Sequence, residues 1–321
     1  MAKILVIGGG AMGSAFTVPC IDNNNKVTIT EPYSKNFIRD LTSKKKFHSS
    51  LKLNLSKKLK FKKFSKNLWN EKFDLIVIAL SLNGIDFIGK ELKNYRIKTP
   101  ILVLTKGLKY EKKTKKIITI SEKLKQNYNL KNISVLKGPC LAKELARKNQ
   151  TSVIIANKNI IIAKKIGKLI STKYYLIEFS KDIKGVEVCS AIKNIYSMLI
   201  GAGQSLNTSS SLFQRSINEM KYLTKYFKGK ELTTLGLAGV GDLYVSASGG
   251  RNSKMGSYLG KGYKFKTAKK KFMPKDTVEG EQLAREIAPF ILKKIKIKRI
   301  PLMINLLRSL LKNKKLDLKK L

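Results

Sequence analysis

The chain is 321 residues long, which is enough for one large domain or, as we expect, for two domains with separate cores. Its apolar share of 43% and aromatic share of 8% are typical of a globular protein and exclude a disordered one. The formal net charge is +45, but the lysines are spread over the whole sequence, and Asn and Ile are abundant too. We therefore attribute the charge to coding bias and expect it to attract anionic small molecules, with no specific nucleic-acid partner.

Cysteine and histidine are too few and too scattered for several kinds of site. Cys20, Cys140 and Cys189 lie far apart and form no C-x-x-C pair, so we expect a reducing compartment and neither a disulfide framework nor a zinc ribbon. His48 is the only histidine, and no ligand-spaced partner accompanies it. A histidine-based metal site and a Ser-His-Asp triad are therefore excluded, and we expect no metal.

The N-terminus lacks the pattern of a targeting segment. Lys3 begins a short apolar run, but three consecutive glycines end that run at once. Nowhere does an apolar stretch reach the roughly 18 residues that a membrane-spanning helix needs. We expect a soluble, cytoplasmic protein without a transmembrane segment.

The N-terminal residues have the pattern of a dinucleotide-binding motif. A buried strand is predicted at Lys3–Ile7, a helix at 14–21 and a second strand at 27–30, which ends on Glu31. A G-x-G-x-x-G segment at 8–13 lies between the first strand and the helix. That motif alone is weak, but strand, glycine segment, helix, strand and acid in this order predict a nicotinamide dinucleotide site.

Each glycine of the segment has a predicted role. Gly8 permits a tight turn, Gly10 lets the pyrophosphate approach the backbone, and Gly13 allows the helix to pack closely on the strand. We include the intervening Ala11 and Met12 in the cofactor site, because a helix N-terminus offers free N–H groups to phosphates. The alternative is a purely structural turn.

Glu31 is the predicted ligand of the adenosine ribose. A carboxylate there accepts hydrogen bonds from ribose hydroxyls and repels a 2′-phosphate, which favours NAD. The alternative is an exposed acid at a strand end, with Lys35 and Arg39 close enough in sequence to tolerate the 2′-phosphate of NADP.

Strand and helix patterns alternate up to about residue 180. Further strands are predicted at 74–80, 100–104, 133–136, 151–156 and 175–179, and helices at 85–94, 113–126 and 159–171. Residues 40–70 are assigned to a helix plus an irregular loop, and residues 181–312 to helices joined by glycine-containing loops. The predicted class is α/β: a doubly wound, Rossmann-like, mostly parallel sheet in residues 1–180 and an all-helical domain in residues 181–321.

One lysine stands alone in an apolar helical stretch. The pattern predicts a helix over 188–203 that is packed on most of its faces, and Lys193 is its only charged residue. A buried ammonium is costly unless it is paired or carries its proton only part of the time. Lys193 therefore either extends past its neighbours to water or acts as a general acid and base.

A glycine-rich loop at 235–252 brings together polar residues of several types. It carries Asp242, Ser246, Arg251 and Asn252. Two glycines precede Arg251, which predicts the entry to a helix whose N–H groups and guanidinium could hold a phosphate. The alternative is a flexible loop with a solvated arginine.

Seven segments together resemble the NAD(P)-dependent glycerol-3-phosphate dehydrogenases. They appear in the order expected for that family and cover nearly the whole chain. The segments are Gly8-Gly9-Gly10-Ala11-Met12-Gly13, Leu104-Thr105-Lys106-Gly107-Leu108, Gly138-Pro139-Cys140-Leu141-Ala142-Lys143-Glu144, Ala191-Ile192-Lys193-Asn194, Gly239-Val240-Gly241-Asp242-Leu243, Gly249-Gly250-Arg251-Asn252 and Val278-Glu279-Gly280.

The resemblance implies roles for the matching positions. Lys193 is implied as proton donor and acceptor, with Asp242 supporting it and Lys106 as a second catalytic residue. Substrate binding is implied for Lys106, Asn194, Ser246, Arg251 and Asn252. Cofactor binding is implied for Gly8, Gly10, Ala11, Met12, Gly13, Glu31, Lys106, Ala142, Arg251 and Glu279.

The implied reaction interconverts sn-glycerol 3-phosphate and dihydroxyacetone phosphate with NAD, or with NADP, and feeds glycerophospholipid synthesis. The expected partner is a small phosphorylated substrate, and the helical half could form a homodimer. One alternative is a related two-domain reductase of another 2-keto or 2-hydroxy compound. Another is a basic protein that binds nucleic acid or an anionic membrane on a degenerate Rossmann fold.

Overall fold

The structure, a computed structural model, describes residues 1–318, which divide into two compact units. Unit 1 contains residues 1–106 and 120–183. Unit 2 contains residues 107–119 and the described chain from residue 184 onward. The stretch 107–119 thus belongs with the C-terminal helices although it interrupts unit 1 in sequence, and a domain boundary at 180 and 181 stays a prediction.

The described residues form twelve strands: β1 (Lys3–Ile7), β2 (Lys26–Thr30), β3 (Phe47–His48), β4 (Leu53–Asn54), β5 (Lys60–Phe61), β6 (Leu75–Ile78), β7 (Ile101–Val103), β8 (Leu108–Glu111), β9 (Lys116–Thr119), β10 (Ile133–Lys137), β11 (Thr151–Ala156) and β12 (Tyr175–Ser180). Eight of them make one sheet in the order β12-β11-β10-β7-β6-β1-β2-β5. Only the β10–β11 pairing in this sheet is antiparallel. The predicted α/β class with a mostly parallel sheet is confirmed.

Thirteen α-helices complete the described chain: α1 (Ala11–Asp22), α2 (Lys35–Thr42), α3 (Ile85–Asn94), α4 (Ile120–Tyr128), α5 (Ala142–Ala146), α6 (Ile160–Ile170), α7 (Ile183–Ala202), α8 (Leu206–Tyr226), α9 (Asp242–Ala247), α10 (Arg251–Gly260), α11 (Phe265–Phe272), α12 (Glu279–Lys294) and α13 (Pro301–Lys312). Those from α8 onward lie in unit 2, where the described residues from 184 onward contain no strand, as predicted.

Strand β1 lies in the middle of the sheet and explains the apolar run that encodes it. It pairs in parallel with β2 on one side and with β6 on the other. Its residues from Ile4 to Ile7 are fully buried, because a parallel strand of this class has both faces covered by helices. Gly8, which directly follows β1, therefore lies at the carboxyl edge of the sheet, where α/β proteins bind their ligands.

Two stretches differ from the predicted elements. Residues 40–70 contain the short strands β3, β4 and β5 as well as a 3₁₀ turn at Lys66–Asn70. The helix predicted at 113–126 begins only at Ile120, because residues 108–119 form the antiparallel hairpin of β8 and β9. Alternation over two to four residues among many lysines is too short to indicate a strand.

The β8–β9 hairpin packs on α12 within unit 2. The backbone N–H of Tyr110 donates to the Oε1 atom of Glu286 at 2.9 Å, and the Nζ atom of Lys109 lies 3.7 Å from the other carboxylate oxygen. Long-range contacts of this kind, and not local pattern, decide the conformation of residues 107–119.

Helix α7 is buried along almost its entire length, which confirms the helix predicted around Lys193. Helix α10 approaches it closely through two glycines one turn apart. A Cβ atom on Gly256 would overlap the carbonyl oxygen of Met198, and one on Gly260 would overlap that of Ala202. The backbones of α7 and α10 are therefore in direct contact, and this close packing restricts the positions of the polar side chains that the two helices carry.

A buried carboxylate ties α7, α8 and α13 together. Glu219 on α8 is 5% exposed. It accepts hydrogen bonds from the hydroxyl of Tyr196 at 2.9 Å and from the N–H groups of Leu302 and Met303 at 2.7 and 3.1 Å. Burial raises the pKa of Glu219 to about 7, against the opposing effect of the two N–H groups and the hydroxyl.

No helix within residues 1–318 is both long and apolar enough to span a membrane. Over the same residues, no three His, Cys, Asp or Glu side chains come together in a group that could hold a metal ion.

The raised pKa of Glu219 predicts a pH-dependent stability. The folded state keeps this proton up to about pH 7, whereas the unfolded chain releases it near pH 4.5. Between these values the folded state binds more protons, so the free energy of unfolding falls as pH rises, by on the order of 3 kcal/mol in total. Urea denaturation of the wild type and of Glu219→Gln, followed by far-UV circular dichroism from pH 5 to 8, measures this loss.

The Glu219→Gln variant carries no titrating group at this position, so its difference from the wild type should change with pH and level off above about pH 7. Parallel stability curves for the two proteins would contradict the assignment.

Candidate active site

The glycine segment in unit 1 has the geometry of a phosphate cradle. Gly8 has a φ of +118°, which favours glycine, and a Cβ atom there would lie 2.6 Å from the carbonyl oxygen of Ala79. A Cβ atom on Gly13 would overlap the carbonyl oxygen of Gly8, so the helix can approach the loop this closely only without a side chain. Both positions require glycine for the reasons predicted from the sequence.

Helix α1 begins directly after this turn and no side chain caps its N-terminus at Gly10. Its first intrahelical hydrogen bond runs from the N–H of Ser14 to the carbonyl of Gly10 at 2.9 Å. The first-turn residues Ala11 and Met12 are half-buried, and no acid lies in that turn. Uncapped N–H groups and the positive end of the helix dipole suit a pyrophosphate, so the residues present fit a dinucleotide.

Glu31 faces the glycine segment and is not an exposed acid. It is 6% exposed, and its Oε2 atom accepts the N–H of Gly9 at 2.6 Å. Its Oε1 atom accepts the N–H groups of Tyr33 and Ser34 at 2.9 and 3.0 Å. The carboxylate therefore fixes the loop after β1 and the turn after β2 to each other.

Lys106 directly follows the buried end of the β7 segment and is half-buried. The preceding residue, Thr105, is held by two neighbours: its hydroxyl donates to the carbonyl of Leu80 at 2.8 Å, and its carbonyl accepts from the Nζ atom of Lys137 at 2.7 Å. Lys137 is 2% exposed and also donates to the carbonyl of Val103 at 3.0 Å. This buried lysine ties the carboxyl ends of β7 and β10 together.

Sequence reasoning missed Lys137, because in a chain so rich in lysine a single one at a strand end carries no signal. Ala142, the remaining cofactor residue predicted for unit 1, begins α5, which packs against α1.

In unit 2 the side chain of Lys193 ends inside the protein and does not extend to water. Its Nζ atom lies 2.5 Å from the Oδ1 atom of Asp242, 3.4 Å from the carbonyl of the same residue, and within hydrogen-bonding distance of the Ser246 hydroxyl. The side chains of Lys193 and Asp242 are 6% and 3% exposed. The costly ammonium anticipated from the sequence is therefore paired with a buried carboxylate.

Helix α9 supplies two side chains that contact the Lys193 ammonium. Asp242 and Ser246 are four residues apart and so lie on the same face of α9, one turn apart. A single π-helical turn at Leu237–Gly241 leads into this helix. There, a Cβ atom on Gly239 would lie 2.7 Å from the Cα atom of Thr234, so the turn before the acid is tightly packed. Turns of this type are frequent at functional sites.

A second polar cluster surrounds the N-terminus of α12. Asn194, the neighbour of Lys193 on α7, donates to the Oε2 atom of Glu279 at 3.2 Å, and Arg251 lies 3.3 Å from its Oε1 atom. The side-chain oxygen of Asn252 accepts the N–H of Gly280 at 2.9 Å. Arg251 begins α10, which confirms the helix entry predicted after the two glycines.

Apart from Ala142 on α5, the residues predicted from the sequence therefore lie in four places. Unit 1 holds the cradle with Glu31, and at another strand end Lys106. Unit 2 holds Lys193 with Asp242 and Ser246, and beside it Asn194, Arg251 and Asn252 with Glu279.

Two family models match the chain in sequence order. The model of the NAD-dependent glycerol-3-phosphate dehydrogenase N-terminus matches residues 3–163, and the model of the C-terminus of the same enzymes matches residues 182–318. The chain belongs to the NAD-dependent glycerol-3-phosphate dehydrogenase family. The family predicted from the seven segments is confirmed, and with it an oxidoreductase that uses NAD or NADP.

Curated relatives carry the same activity in their names. The chain is 32% identical over 271 residues to a glycerol-3-phosphate dehydrogenase (NAD(P)+) of Clostridium botulinum (strain Eklund 17B / Type B), covering 82% of this chain and 80% of the relative. It is 29% identical over 271 residues to an NADP(+)-dependent glycerol-3-phosphate dehydrogenase of Archaeoglobus fulgidus, covering 81% of this chain and 80% of the relative.

Solved structures share the fold. Glycerol-3-phosphate dehydrogenase of Coxiella burnetii matches with a TM-score of 0.84 at 23% identity, covering 98% of this chain and 96% of that one. The Plasmodium falciparum enzyme matches with a TM-score of 0.85 at 20% identity, covering 98% and 92%. A D-mandelate dehydrogenase reaches a TM-score of only 0.62 at 14% identity.

Because the ion pair of Lys193 and Asp242 is buried, we expect its disruption to lower the stability of the protein. Lys193→Met leaves the carboxylate of Asp242 buried without its cation, which should lower the free energy of unfolding by about 3 kcal/mol or more. The double variant Lys193→Met with Asp242→Asn removes both charges and should recover most of that loss. Urea denaturation is followed by far-UV circular dichroism, because the single tryptophan, Trp69, lies in unit 1.

Lys221→Ala is the control for loss of a lysine in unit 2. Its ion pair with Glu231 is 33% and 41% exposed, so its loss should cost less than about 1 kcal/mol. Equal losses for Lys193→Met and Lys221→Ala would contradict a buried, interacting pair at Lys193.

Proposed function

We propose that the enzyme interconverts sn-glycerol 3-phosphate and dihydroxyacetone phosphate with Lys193 as general acid and base. The single observation that carries this proposal is the Lys193 ammonium, buried in unit 2 and held by Asp242 and Ser246. An amine with a fixed position and a carboxylate partner is suited to move one proton at a substrate oxygen. When bound, the nicotinamide cofactor supplies or accepts the hydride at C2 of the substrate.

The proton transfer follows from the chemistry of the amine. In reduction the C2 carbonyl oxygen gains negative charge, and the Lys193 ammonium stabilises that charge and then donates its proton. In oxidation the neutral amine accepts the hydroxyl proton. Asp242 stabilises the ammonium that forms, and Asp242 and Ser246 together restrict where the amine can point.

Phosphate recognition is assigned to the second cluster. A guanidinium carries five N–H donors, so the contact of Arg251 with Glu279 leaves capacity for a bidentate contact with a phosphate. Asn194 and Asn252 add amide groups to the substrate site, and Lys106 is proposed to bind both substrate and cofactor. Glu279 orients Arg251 and Asn194, which supports a role at the cofactor.

The dinucleotide is proposed to bind on the cradle at Gly8, Gly10 and Gly13, with Ala11, Met12 and Ala142 beside it. A carboxylate has about four acceptor positions, and Glu31 uses three of them for N–H groups of the protein. The fourth is proposed to accept a ribose hydroxyl, which favours NAD over NADP.

The cellular role is proposed from chemistry. The three cysteines form no disulfide among the described residues, which suits the reducing cytoplasm. The product sn-glycerol 3-phosphate is the backbone of glycerophospholipids, and we propose that the enzyme supplies it for their synthesis. A homodimer formed by the helical unit stays a prediction.

The proposed reaction is tested by oxidation of NADH and NADPH with dihydroxyacetone phosphate and with unphosphorylated dihydroxyacetone. Only the phosphorylated ketone should be reduced efficiently. Lys193→Arg keeps the positive charge but holds its proton at every accessible pH, so kcat should fall by about 100- to 10,000-fold while NADH still binds.

Lys184→Ala, which removes a lysine from the first turn of the same helix, is the matched control and should keep near wild-type turnover. A Lys193→Arg enzyme that retains a tenth of wild-type kcat would exclude Lys193 as the acid and base.

A further inference from the structure

Gly9, the second residue of the glycine segment, is held on both sides of its backbone by side chains of unit 1. The N–H of Gly9 donates to Glu31 at 2.6 Å. Its carbonyl oxygen accepts from the Ser14 hydroxyl at 3.0 Å and lies 2.9 Å from the Nε2 atom of His48. The Ser14 contact is local to α1, whereas His48 approaches from the region between α2 and β4.

The only histidine of the sequence therefore contacts the backbone of the glycine segment. His48 is fully buried, and its ring stacks on Phe37 with centroids 5.3 Å apart and planes at 23°. The N–H of Leu51 points to its Nδ1 atom at 3.4 Å. Because a carbonyl can only accept, the ring must carry its hydrogen on Nε2 and donate it to Gly9, with Nδ1 as acceptor.

The residue after His48 is fixed as well, so the ring does not depend on a loose loop. Asp40 at the end of α2 accepts the backbone N–H of Ser49 at 2.9 Å and its hydroxyl at 2.6 Å. Together with the Phe37 ring, this anchors the short strand β3 to helix α2.

Peptide geometry links the histidine to the phosphate cradle. All described peptide bonds are trans, so the carbonyl of Gly9 and the N–H of Gly10 point in opposite directions. A donor that fixes the carbonyl on one side therefore fixes the direction of the Gly10 N–H on the other side. Gly10 is the residue that caps α1, where backbone N–H groups suit a pyrophosphate.

We propose that His48 is a positioning residue for the cofactor, which orients the Gly9–Gly10 peptide so that the N–H of Gly10 binds the pyrophosphate. This inference rests on the proposed binding of the dinucleotide at the cradle. His48 itself touches neither cofactor nor substrate. Ser14 still satisfies the Gly9 carbonyl when the ring is removed, so the role lies in orientation and not in rescuing a buried polar group.

The test measures binding of ADP-ribose by calorimetry, because this fragment carries the pyrophosphate but needs neither substrate nor hydride transfer. His48→Leu should weaken binding about three- to tenfold, the effect of one hydrogen bond. His48→Gln keeps an N–H donor of similar reach and should bind nearly as tightly as the wild type. In turnover, His48→Leu should raise KM for NADH and leave kcat unchanged at saturating cofactor.

Ser49→Ala is the matched control, since it removes a hydrogen bond to Asp40 next to His48 without touching Gly9. It should leave the affinity for ADP-ribose unchanged. A purely structural role would lower the melting temperature of His48→Leu but not the affinity of the folded protein. If His48→Leu does not fold, His48→Asn replaces it, because the shorter amide cannot reach the Gly9 carbonyl while that of Gln can.

The inference about His48 would be overturned if folded His48→Leu or His48→Asn bound ADP-ribose with wild-type affinity. It would also be overturned if His48→Gln bound ADP-ribose as weakly as a weakened His48→Leu or His48→Asn. A wild-type protein that fails to bind ADP-ribose would instead overturn the proposed cofactor site, and with it this inference. The two failures are therefore distinguishable.

Discussion

A lysine ammonium and an aspartate carboxylate lie 2.5 Å apart in the interior of unit 2, and the chemistry proposed for the enzyme depends on that contact. Removing two charges from water costs several kcal/mol per ion, and the attraction between the two ions, together with the contact to Ser246, offsets this cost. The surrounding helices are arranged to hold it. Lys193 lies on helix α7, which is buried along almost its entire length. A π-helical turn leads into α9 and places Asp242 within reach of Lys193.

The glycine segment in unit 1 follows a different principle, because the groups proposed to bind the cofactor there are backbone N–H groups. Such groups cannot be placed by choice of side chain, so their direction must be fixed by what holds the neighbouring carbonyls and amides. Glu31 and His48 act on opposite sides of Gly9, one as acceptor and the other as donor. The acid after β2 thus contributes to the cradle itself as well as to the proposed ribose contact.

Much of the fold follows from local pattern. Strands β1 and β11 begin and end where the apolar runs do, and helix α3 matches its predicted bounds. Lys193, Asp242 and Arg251 were also identified from the sequence as candidate site residues, because a charge in an apolar helix and polar residues in a glycine loop are unusual. His48 and Lys137 could not be found in this way, since each acts through a hydrogen bond to a backbone carbonyl more than 30 residues away. The β8–β9 hairpin was missed for the same reason, since it is held by Glu286 on a distant helix.

The amine of Lys193, paired with Asp242, is proposed to take the proton during oxidation. The most direct measurement is the pH dependence of kcat/KM for oxidation of glycerol 3-phosphate in the wild type and in folded Asp242→Asn. Activity rises with pH as the base loses its proton, and loss of the carboxylate destabilises the ammonium, so the rise should move to lower pH in the variant. A rise at the same pH in both proteins would show that the titrating base is not the lysine that Asp242 contacts.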